Sequence, residues 1–391
     1  MTNIKDLFML DPEVIFLNHG SFGACPRPVF EVYQGWQCEL ERQPVEFLGR
    51  RAGDLMANAR EQLAAYLGAS ADELVYFPNP TTAINMAARS LNLQPGDEIL
   101  ATDHEYGAMD RTWHFICGQT GARYVQKPCP LPMTSPTAFS EAFWEGVNER
   151  TRVIFISHIT SPTALIFPVE EICRRARQAG ILSIVDGAHA PGQIPVNLTA
   201  LGADIYTGAC HKWLMAPKGA AFLYARREVQ PWLAPLVVSW GYESSHPSPS
   251  QFIDYHEWQG TRDLAAFLSV PAAIEFQAAH HWEKVRKDCH RLAGQTRQRI
   301  NRLTGLEPVC PDDAEHSEAS TSWFGQMFLA RLPEEVDLEQ LKDRLYTKYQ
   351  IEAPLIDWNQ QKFIRVSIQG YNDQDDVDKL VEALNFLILR S

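Results

Sequence analysis

The 391-residue sequence lacks the features that would direct a protein to a membrane or out of the cell. No apolar run approaches the length of about 20 residues that a membrane-spanning helix needs. The first residues, Met1 to Pro12, lack the basic segment followed by an apolar segment that marks a signal peptide. Internal repeats and low-complexity tracts are also missing. We therefore expect a globular protein that has no membrane as a partner.

Cysteine pairs and a basic stripe are missing as well. The eight cysteines are scattered without a CxxC pair, which argues against structural zinc and favours free thiols in a reducing, cytoplasmic setting. Acidic residues outnumber basic ones, 48 to 35, and the formal net charge is −13. This charge argues against nucleic acid as a partner.

What the sequence does contain is an ordinary globular composition and a regular alternation of predicted elements. Hydrophobic residues make up 45% and charged residues 21% of a chain that is long enough for two domains. From about residue 55 onward, predicted helices alternate with strands that are apolar throughout, which is typical of a mostly parallel sheet buried on both faces. The predicted strands are Leu74–Phe77, Glu98–Thr102, Val153–Ser157, Leu182–Asp186, Asp204–Thr207 and Ala221–Tyr224.

The pattern changes after about residue 270, where long helices alternate with two strands in an α+β arrangement. We therefore predict a large domain at residues 1–270 and a small one at residues 271–391. The predicted elements of the small domain are helices Pro271–Leu303 and Leu338–Tyr349 and strands Trp323–Ala330 and Phe363–Ile368. Ahead of them, Ser239–Ser250 is rich in Gly, Ser, Pro and His and predicts a loop over an active-site edge.

Polar side chains follow two of the predicted strands at the points where the strands end. Asp186 ends one strand and is followed by Gly-Ala-His189, and a second strand leads to His211 and Lys212. Because parallel strands gather their carboxyl ends at one edge of a sheet, these four side chains are expected in one crevice. A carboxylate and an amine in one crevice suit pyridoxal phosphate (PLP). The lysine forms the Schiff base, and the carboxylate pairs with the protonated pyridine nitrogen.

The surroundings of Lys212 leave two interpretations open. Lys212 precedes Trp-Leu-Met, and an apolar setting lowers the pKa of an amine, as a Schiff-base lysine requires. A single lysine is usually a surface residue, so only the combination with Asp186 supports this role. Asp186, His189 and His211 could instead bind a metal ion, although the neighbouring lysine would oppose a bound cation.

The motif Asn79-Pro-Thr81-Thr82 lies between a predicted strand and a predicted helix. Backbone N–H groups and hydroxyls at a helix N-terminus can bind a phosphate, and the helix dipole assists. An ordinary helix cap is the simpler interpretation. The position of the motif ahead of the Asp186 and Lys212 segments favours the phosphate site.

Seven motifs together resemble the aminotransferase class V family, whose members are fold-type I PLP enzymes. The nearest resemblance is to the branch of isopenicillin N epimerase and related C–S lyases. The motifs are Phe16-Leu-Asn18-His19-Gly20-Ser-Phe-Gly23, Thr102-Asp-His-Glu-Tyr106-Gly-Ala, Ser157-His-Ile-Thr-Ser161-Pro-Thr, Asp186-Gly-Ala-His189, Cys210-His211-Lys212-Trp213, Gly260-Thr261-Arg262-Asp263 and Phe363-Ile-Arg365-Val-Ser. The resemblance implies a mostly parallel seven-stranded α/β sheet with helices on both faces, a smaller α+β C-terminal domain, and residues 1–20 as an arm near the active site.

The resemblance also implies a role for each matching residue. Lys212 would form the Schiff base, Asp186 would pair with the pyridine nitrogen, and Tyr106 rather than His104 would stack on the ring. The other implied roles are hydrogen bonds to the phenolic oxygen of the ring (His189, Ser161), phosphate binding (Thr81, Thr82, His211), phosphate binding across the interface of a homodimer (Thr261), and substrate binding (Arg365, Asn18, His19). Arg365 would hold the substrate carboxylate through a bidentate pair.

Simpler structural roles stay open for four of these residues. Tyr106 could pack on the sheet, and Arg365 could be a surface residue of a strand. Asn18 and His19 could shape a glycine-rich turn.

The sequence departs from the cysteine desulfurases of the same family. Ala209 stands where they carry a serine two residues before the His-Lys pair, so one phosphate hydroxyl is missing or comes from elsewhere. Desulfurases also need a mobile cysteine shortly before the arginine that corresponds to Arg365. Residues 351–362 contain none, and no cysteine follows Cys310, so persulfide chemistry of that kind is not expected.

The resemblance favours epimerase-like or C–S lyase-like chemistry at the Cα of an amino acid. Lys212 would be the base on one face, and inversion would need a second acid, which could be Tyr106, His19 or a water. An aminotransferase is the second choice. A metal hydrolase and a PLP-binding regulatory protein without turnover are the remaining classes.

Overall fold

A computed structural model describes residues 4–312 and 322–389, so the first three residues of the predicted arm lie outside the described ranges. The strands are β1 (Ile15–Phe16), β2 (Leu74–Phe77), β3 (Glu98–Thr102), β4 (Arg123–Lys127), β5 (Thr151–Ser157), β6 (Leu182–Asp186), β7 (Ile205–Ala209), β8 (Ala221–Ala225), β9 (Met327–Leu332), β10 (Ile351–Glu352), β11 (Leu355–Trp358) and β12 (Gln361–Ser367). The α-helices are α1 (His19–Phe22), α2 (Arg27–Arg42), α3 (Pro44–Glu46), α4 (Ala52–Tyr66), α5 (Pro80–Arg89), α6 (Gly107–Thr120), α7 (Pro136–Trp144), α8 (Val169–Ala179), α9 (Leu198–Leu201), α10 (Gln251–His256), α11 (Ala265–Leu268), α12 (Val270–Ala279), α13 (Trp282–Thr304), α14 (Leu338–Tyr349) and α15 (Gln374–Leu389).

The largest sheet has seven strands in the order β2-β8-β7-β6-β5-β3-β4. β8 runs antiparallel to both of its neighbours, and the strands from β7 to β4 are parallel. β3, β7 and β8 are buried along their whole length. Apolar side chains of the sheet belong to two separate core clusters, one containing Leu100 and Tyr206 and the other containing Ile99 and Ile205. Helices that connect parallel strands cover both faces of such a sheet, which is why these strands are continuous apolar blocks in the sequence. The predicted mostly parallel seven-stranded sheet is confirmed.

Local sequence signals set the ends of many helices. A side-chain oxygen accepts a hydrogen bond from the backbone N–H three residues later at the starts of five helices, namely at Asn79, Ser135, Asn197, Ser250 and Asp337. Four helices end at a glycine in the left-handed conformation, namely Gly121, Gly180, Gly202 and Gly305. These caps define where loops begin at the edges of the sheet.

The C-terminal part of the chain contains a second, antiparallel sheet in the order β11-β12-β9. α13 packs on β9 and on α15. β1 pairs in parallel with β10, with Ile15 beside Ile351, so the N-terminal segment is attached to this part of the molecule. α12 packs against α2 and α4 instead, and the predicted domain boundary near residue 270 stays a prediction.

The sequence prediction differs from the structure at several places, for example at β9, which begins at Met327 rather than at Trp323, and two of the differences have a clear physical cause. The predicted helix Pro271–Leu303 is two helices, α12 and α13, because His281 has a φ of 52°, a left-handed conformation through which an α-helix cannot continue. β4 was not predicted. It is the outermost strand, and its partly exposed, polar sequence Arg123–Lys127 resembles a loop.

Within residues 4–312 and 322–389, no helix is both long enough and apolar enough to cross a membrane. All eight cysteines lie in these ranges, and no disulfide bond joins any two of them. Most of them are buried, which raises the pKa of thiols such as Cys129 and Cys173 to about 12 and keeps them protonated.

Candidate active site

Lys212 lies in the turn that connects β7 to β8. Its Nζ atom is 3.1 Å from Nε2 of His189. Burial lowers the pKa of Lys212 to about 8; the Asp186 carboxylate raises this pKa, and the positive charge of Arg365 lowers it. An amine with this pKa is in part unprotonated near neutral pH and can act as a nucleophile or a base.

Asp186 ends β6, the strand beside β7, and is only 4% exposed. Its Oδ1 atom accepts a hydrogen bond from the backbone N–H of Ala188 at 2.9 Å. Burial raises the pKa of this carboxyl, whereas the Ala188 bond and the Lys212 charge lower it. Asp186 pairs in register with Thr207 of β7, so the carboxylate and the Lys212 turn lie at neighbouring strand ends.

His189 connects the two segments and is 2% exposed. Besides the contact with Lys212, its Nδ1 atom accepts a hydrogen bond from the indole N–H of Trp213 at 3.4 Å. Gln193 donates to the backbone oxygen of His189 at 2.9 Å. Burial, followed by the Lys212 charge, lowers the pKa of His189 well below its ordinary value, so the imidazole is neutral.

The N-terminus of α5 lies at the same edge of the sheet. Phe77 of β2 pairs with Ala221, and Ala221 pairs with Ala209, which brings the β2–α5 loop close to the Lys212 turn. Asn79 caps the helix, because its Oδ1 atom accepts hydrogen bonds from the backbone N–H of Thr82 at 2.8 Å and from the Thr82 hydroxyl at 3.0 Å. The Asn79 side chain thus acts as an ordinary helix cap. The dipole of α5 also favours an anion at this N-terminus, so the cap is compatible with a phosphate site.

The other predicted phosphate ligands lie on three separate elements. Thr81 is in the first turn of α5 and is half-buried. Nδ1 of His211 is 3.0 Å from the backbone oxygen of Ala220, and burial lowers the pKa of His211 to about 4. Thr261 is exposed in the loop between α10 and α11, and its contact with a neighbouring subunit stays a prediction.

Arg365, in the middle of β12, is 5% exposed and is not a surface residue. Its Nη1 atom donates to the backbone oxygen of Ser161, and its Nη2 atom donates to the Ser21 hydroxyl at 2.9 Å. Nε is buried without a hydrogen-bond partner among the described residues, and burial lowers the pKa of the guanidinium to about 10. A buried cation without a counter-charge is costly, so this arrangement favours a carboxylate from a ligand.

Asn18 and Ser21 extend this group of polar side chains. Asn18 Oδ1 accepts a hydrogen bond from the Ser21 hydroxyl at 2.5 Å, and Asn18 Nδ2 donates to Glu352 Oε1 at 3.1 Å. Ser21 in turn accepts from Arg365. Asn18 therefore reaches the arginine through Ser21 and helps to hold it in place.

His19 lies behind the Lys212 turn and is fully buried. Its Nδ1 atom is 2.9 Å from the Tyr371 hydroxyl, and its Nε2 atom is 3.1 Å from the backbone oxygen of Lys212. Burial lowers the pKa of His19 to about 3, so its ring is neutral. Close packing continues at Gly23 (φ 69°), where a Cβ atom would lie 2.1 Å from the backbone oxygen of His211. The N-terminal segment therefore supports the lysine turn directly.

Tyr106 and His104 are the two candidates for the aromatic side chain that stacks on the cofactor. Tyr106 precedes α6 and is 47% exposed. His104 is fully buried, with Nδ1 2.7 Å from the Thr163 hydroxyl and Nε2 2.7 Å from the backbone oxygen of Cys129. Of the two rings, Tyr106 is the one that a ligand can reach.

Sequence reasoning did not assign a role to three polar groups at this edge of the sheet. Trp213 donates a hydrogen bond to His189, but in the sequence it looks like an apolar neighbour of Lys212. Ser21 accepts a hydrogen bond from Arg365, but in the sequence it looks like an ordinary turn residue. Glu105 accepts hydrogen bonds from the hydroxyls of Thr102 and Ser157, and burial raises its pKa to about 8. An acidic residue just before a helix gives no sequence signal that it is buried.

A fixed hairpin occupies the region where desulfurases carry their mobile cysteine. β11 and β12 are joined by Asn359 and Gln360, whose positive φ angles of 48° and 61° are those of a tight two-residue turn. The indole N–H of Trp358 donates to the backbone oxygen of Asp103 at 3.0 Å and attaches the hairpin to the β3–α6 loop. This segment offers neither a thiol nor a free loop.

The structure gives no support to the metal alternative. In the part of the chain that the structure describes, no group of three or more His, Cys, Asp and Glu side chains could hold a metal ion. Asp186, His189 and His211 are each engaged with the protein in other ways.

The seven-stranded sheet, with a buried lysine and a buried aspartate at neighbouring strand ends, has the fold and the site expected of a PLP-dependent enzyme of fold type I. Within that class, this chain belongs to the family described as aminotransferase class-V, whose model matches residues 28–380. The resemblance predicted from the sequence motifs is therefore confirmed.

Proteins of known name match nearly the whole chain. Isopenicillin N epimerase from Amycolatopsis lactamdurans is 38% identical, with 98% of each chain covered. The enzyme of the same name from Streptomyces clavuligerus is 34% identical over 97% of this chain and 96% of its own. A probable chloroplastic L-cysteine desulfhydrase from Arabidopsis thaliana is 28% identical over 97% of this chain and 84% of its own.

Solved structures of the same fold are more distant in sequence. An apo cysteine desulfurase from Thermococcus onnurineus has a TM-score of 0.83 at 18% identity and covers 99% of this chain and 98% of its own. The cystine C–S lyase C-DES, in complex with its product cysteine persulfide, has a TM-score of 0.82 at 19% identity and covers 96% and 98%. At these identities the likeness establishes the fold alone.

Proposed function

We propose that this protein is a PLP-dependent enzyme that removes the Cα proton of an amino acid, as an epimerase or as a C–S lyase. The main support is the presence of two buried basic groups in one site. The Lys212 amine has a pKa of about 8, and within residues 4–312 and 322–389 no carboxylate is a hydrogen-bond partner of the Arg365 guanidinium. The amine can take a proton, and the guanidinium can hold the carboxylate next to it on the same substrate.

The residues of the site fit PLP. When bound, PLP withdraws electrons from Cα and makes its proton acidic. Lys212 would be the point of covalent attachment, Asp186 would pair with the pyridine nitrogen, and the exposed ring of Tyr106 would stack on the cofactor. The remaining contacts, to the phenolic oxygen and the phosphate, would come from His189, Ser161, Thr81, Thr82 and His211.

Among the possible reactions, inversion at Cα has the most support from the relatives. The two relatives named isopenicillin N epimerase are 38% and 34% identical, against 28% for the desulfhydrase. Inversion needs a proton donor on the face opposite Lys212. Both ring nitrogens of His19 are within hydrogen-bond distance of the protein itself, so we infer that this donor is Tyr106 or a water.

C–S elimination is the second candidate, because several relatives are named cysteine desulfhydrases. It would use the same base and the same carboxylate contact but would need no second proton donor at Cα. An aminotransferase, which converts the amino acid into a keto acid, remains the alternative outcome.

A homodimer in the cytoplasm completes the proposal. Thr261 is exposed, as it must be to contact the phosphate site of another subunit. Large apolar side chains are also exposed, among them Phe22 at 71% and Trp240 at 87%, and burial in an interface would remove them from water. Cysteines without disulfide bonds to one another in the described ranges are compatible with a reducing compartment.

Proton NMR in D₂O tests the proposed reaction. The PLP-loaded protein is incubated with L- and D-amino acids, including cysteine and cystine, and the Cα proton signals are followed together with chiral analysis. For an epimerase we expect loss of the Cα proton signal and formation of the opposite enantiomer without a keto acid. Pyruvate with ammonia and released sulfur would indicate a C–S lyase, and a keto acid formed in a single turnover would indicate an aminotransferase.

The control is the same experiment with Lys212→Ala, which lacks the base and whose fold is checked by circular dichroism. Exchange that continues in this variant would contradict the assignment of Lys212. If no amino acid in the panel loses its Cα proton in the presence of the PLP-loaded protein, chemistry at the Cα of these substrates is excluded.

The rate of PLP association is expected to depend on pH through Lys212. An aldehyde reacts with the neutral amine, and burial lowers the pKa of Lys212 from 10.5 to about 8. The association rate should therefore rise with pH and level off above about 8, rather than above about 10 as for an exposed lysine. Stopped-flow absorbance measures this rate. Lys218→Ala is the control, because this lysine binds the backbone oxygen of Gly23 and should leave the midpoint unchanged.

A further inference from the structure

Trp213, the residue after Lys212, is fully buried and is held in one orientation. Its indole ring packs against the His19 ring with centroids 4.9 Å apart, and its backbone oxygen accepts a hydrogen bond from Gln277 at 3.1 Å. In this orientation the indole N–H donates to Nδ1 of His189 at 3.4 Å. The partner of the indole is therefore one nitrogen of a ring whose other nitrogen, Nε2, contacts Lys212.

The chemistry of the two rings decides where the proton of His189 lies. An indole N–H can only donate, and a neutral imidazole has one donor nitrogen and one acceptor nitrogen. Since Nδ1 accepts from Trp213, the proton is on Nε2. Burial keeps the imidazole neutral, so a proton on both nitrogens is not an option.

This position of the proton has a consequence for Lys212, whose Nζ atom is 3.1 Å from Nε2 of His189. An N–H group on Nε2 can donate to a neutral amine, which has a lone pair. It cannot accept from an ammonium group, so a protonated Lys212 would face a second donor at hydrogen-bond distance. All three groups are satisfied only when Lys212 is unprotonated.

We propose that Trp213 is a positioning residue that fixes the His189 proton on Nε2 and thereby favours the unprotonated form of Lys212. This role deepens the proposed function, since the same N–H would also be available to the phenolic oxygen of PLP. The position of the proton itself does not depend on the cofactor, and it is measured on the protein as isolated without PLP.

The first test is ¹⁵N NMR of the protein labelled at histidine and free of PLP, with His189→Gln used to assign the His189 signals. We expect an Nε2–H tautomer in the wild-type protein and a mixture of tautomers in Trp213→Phe. An Nδ1–H tautomer in the wild type would overturn the proposal. The measurement on the wild type needs no substitution of Trp213, so the proposal can still be overturned if Trp213→Phe fails to fold.

The second test measures the pH midpoint of PLP association in four proteins: wild type, Trp213→Phe, His189→Gln and the double variant. Trp213→Phe removes the donor but keeps a large aromatic ring, so His189 becomes free to accept from a Lys212 ammonium. We expect the midpoint to rise by about one pH unit, the scale of one hydrogen bond. In the His189→Gln background the same change should have no effect, because an amide carries its own donor and acceptor.

An equal shift in both backgrounds would show that Trp213 acts through packing and would overturn the proposal. A wrong proposed function would give a different result. In that case Lys212→Ala would keep the absorbance of bound PLP, but the wild-type protein without PLP would still show the Nε2–H tautomer of His189.

Discussion

Replacing Lys212 with alanine is expected to abolish covalent binding of PLP and to reduce turnover by about 10³-fold or more, since the same amine serves for attachment and as the base. A buried carboxylate, Asp186, and a buried arginine, Arg365, both influence the pKa of this amine, and Nε2 of His189 is 3.1 Å from its Nζ atom. The visible absorbance of the bound cofactor should disappear. Borohydride, which fixes PLP to the wild-type protein, should leave the variant unlabelled, as judged by mass spectrometry of the peptide that contains residue 212.

Two variants control this result. Lys212→Arg keeps a positive charge but cannot form the covalent bond with PLP at neutral pH, so it should also lose the visible absorbance band of the bound cofactor. Lys218→Ala removes a nearby lysine that binds the backbone oxygen of Gly23, and it should keep both band and turnover. A borohydride-sensitive band in Lys212→Ala would refute the assignment of this lysine.

Replacing Arg365 with alanine is expected to raise the KM for the amino acid by roughly 10²-fold, which corresponds to about 3 kcal/mol for two charge-assisted hydrogen bonds to a carboxylate. kcat should change less, because the base and the cofactor contacts remain. The physical reason is that Arg365 is a buried cation whose recorded hydrogen bonds go to neutral oxygens, those of Ser161 and Ser21. Steady-state kinetics with the substrate found in the D₂O experiment measures both constants.

Matched controls separate binding of the carboxylate from support of the fold. Arg365→Lys keeps the charge but loses the planar pair of donors and should give an intermediate KM. The amine that corresponds to the substrate without its carboxylate should bind the wild type and Arg365→Ala equally well. Ser21→Ala removes one neighbour of the arginine and should have a smaller effect than Arg365→Ala. An unchanged KM in Arg365→Ala would remove this residue from the site.

The sequence predicted most of the large sheet because its signals are local. β2, β3 and β6 begin and end where predicted, since each is a short apolar block between polar residues. The edge strand β4 was missed for the opposite reason, because it is polar and partly exposed. The break at His281 was also missed, as no local signal marks a histidine in a left-handed conformation.

The candidate site also contains residues that local sequence signals predicted and contacts that they did not. Asp186 and Lys212 were predicted from their positions at the ends of strands, and the register of β6 and β7 does place these ends side by side. The preference for Tyr106 over His104 came from sequence spacing. In the structure His104 is enclosed and hydrogen-bonded on both nitrogens whereas Tyr106 is half exposed, and the stacking role of Tyr106 stays a prediction.

The sequence by itself thus determined the class of fold, because apolar blocks and caps are properties of short segments. Its motifs determined the family and the strand ends at which the candidate site residues lie. Only the tertiary structure decided the partners of those side chains. Arg365 and Ser21 are 344 positions apart, and His19 reaches Tyr371 across 352. Such contacts depend on how distant segments pack, and packing also decides which ionisable groups, such as Arg365 and Glu105, are buried and have shifted pKa values.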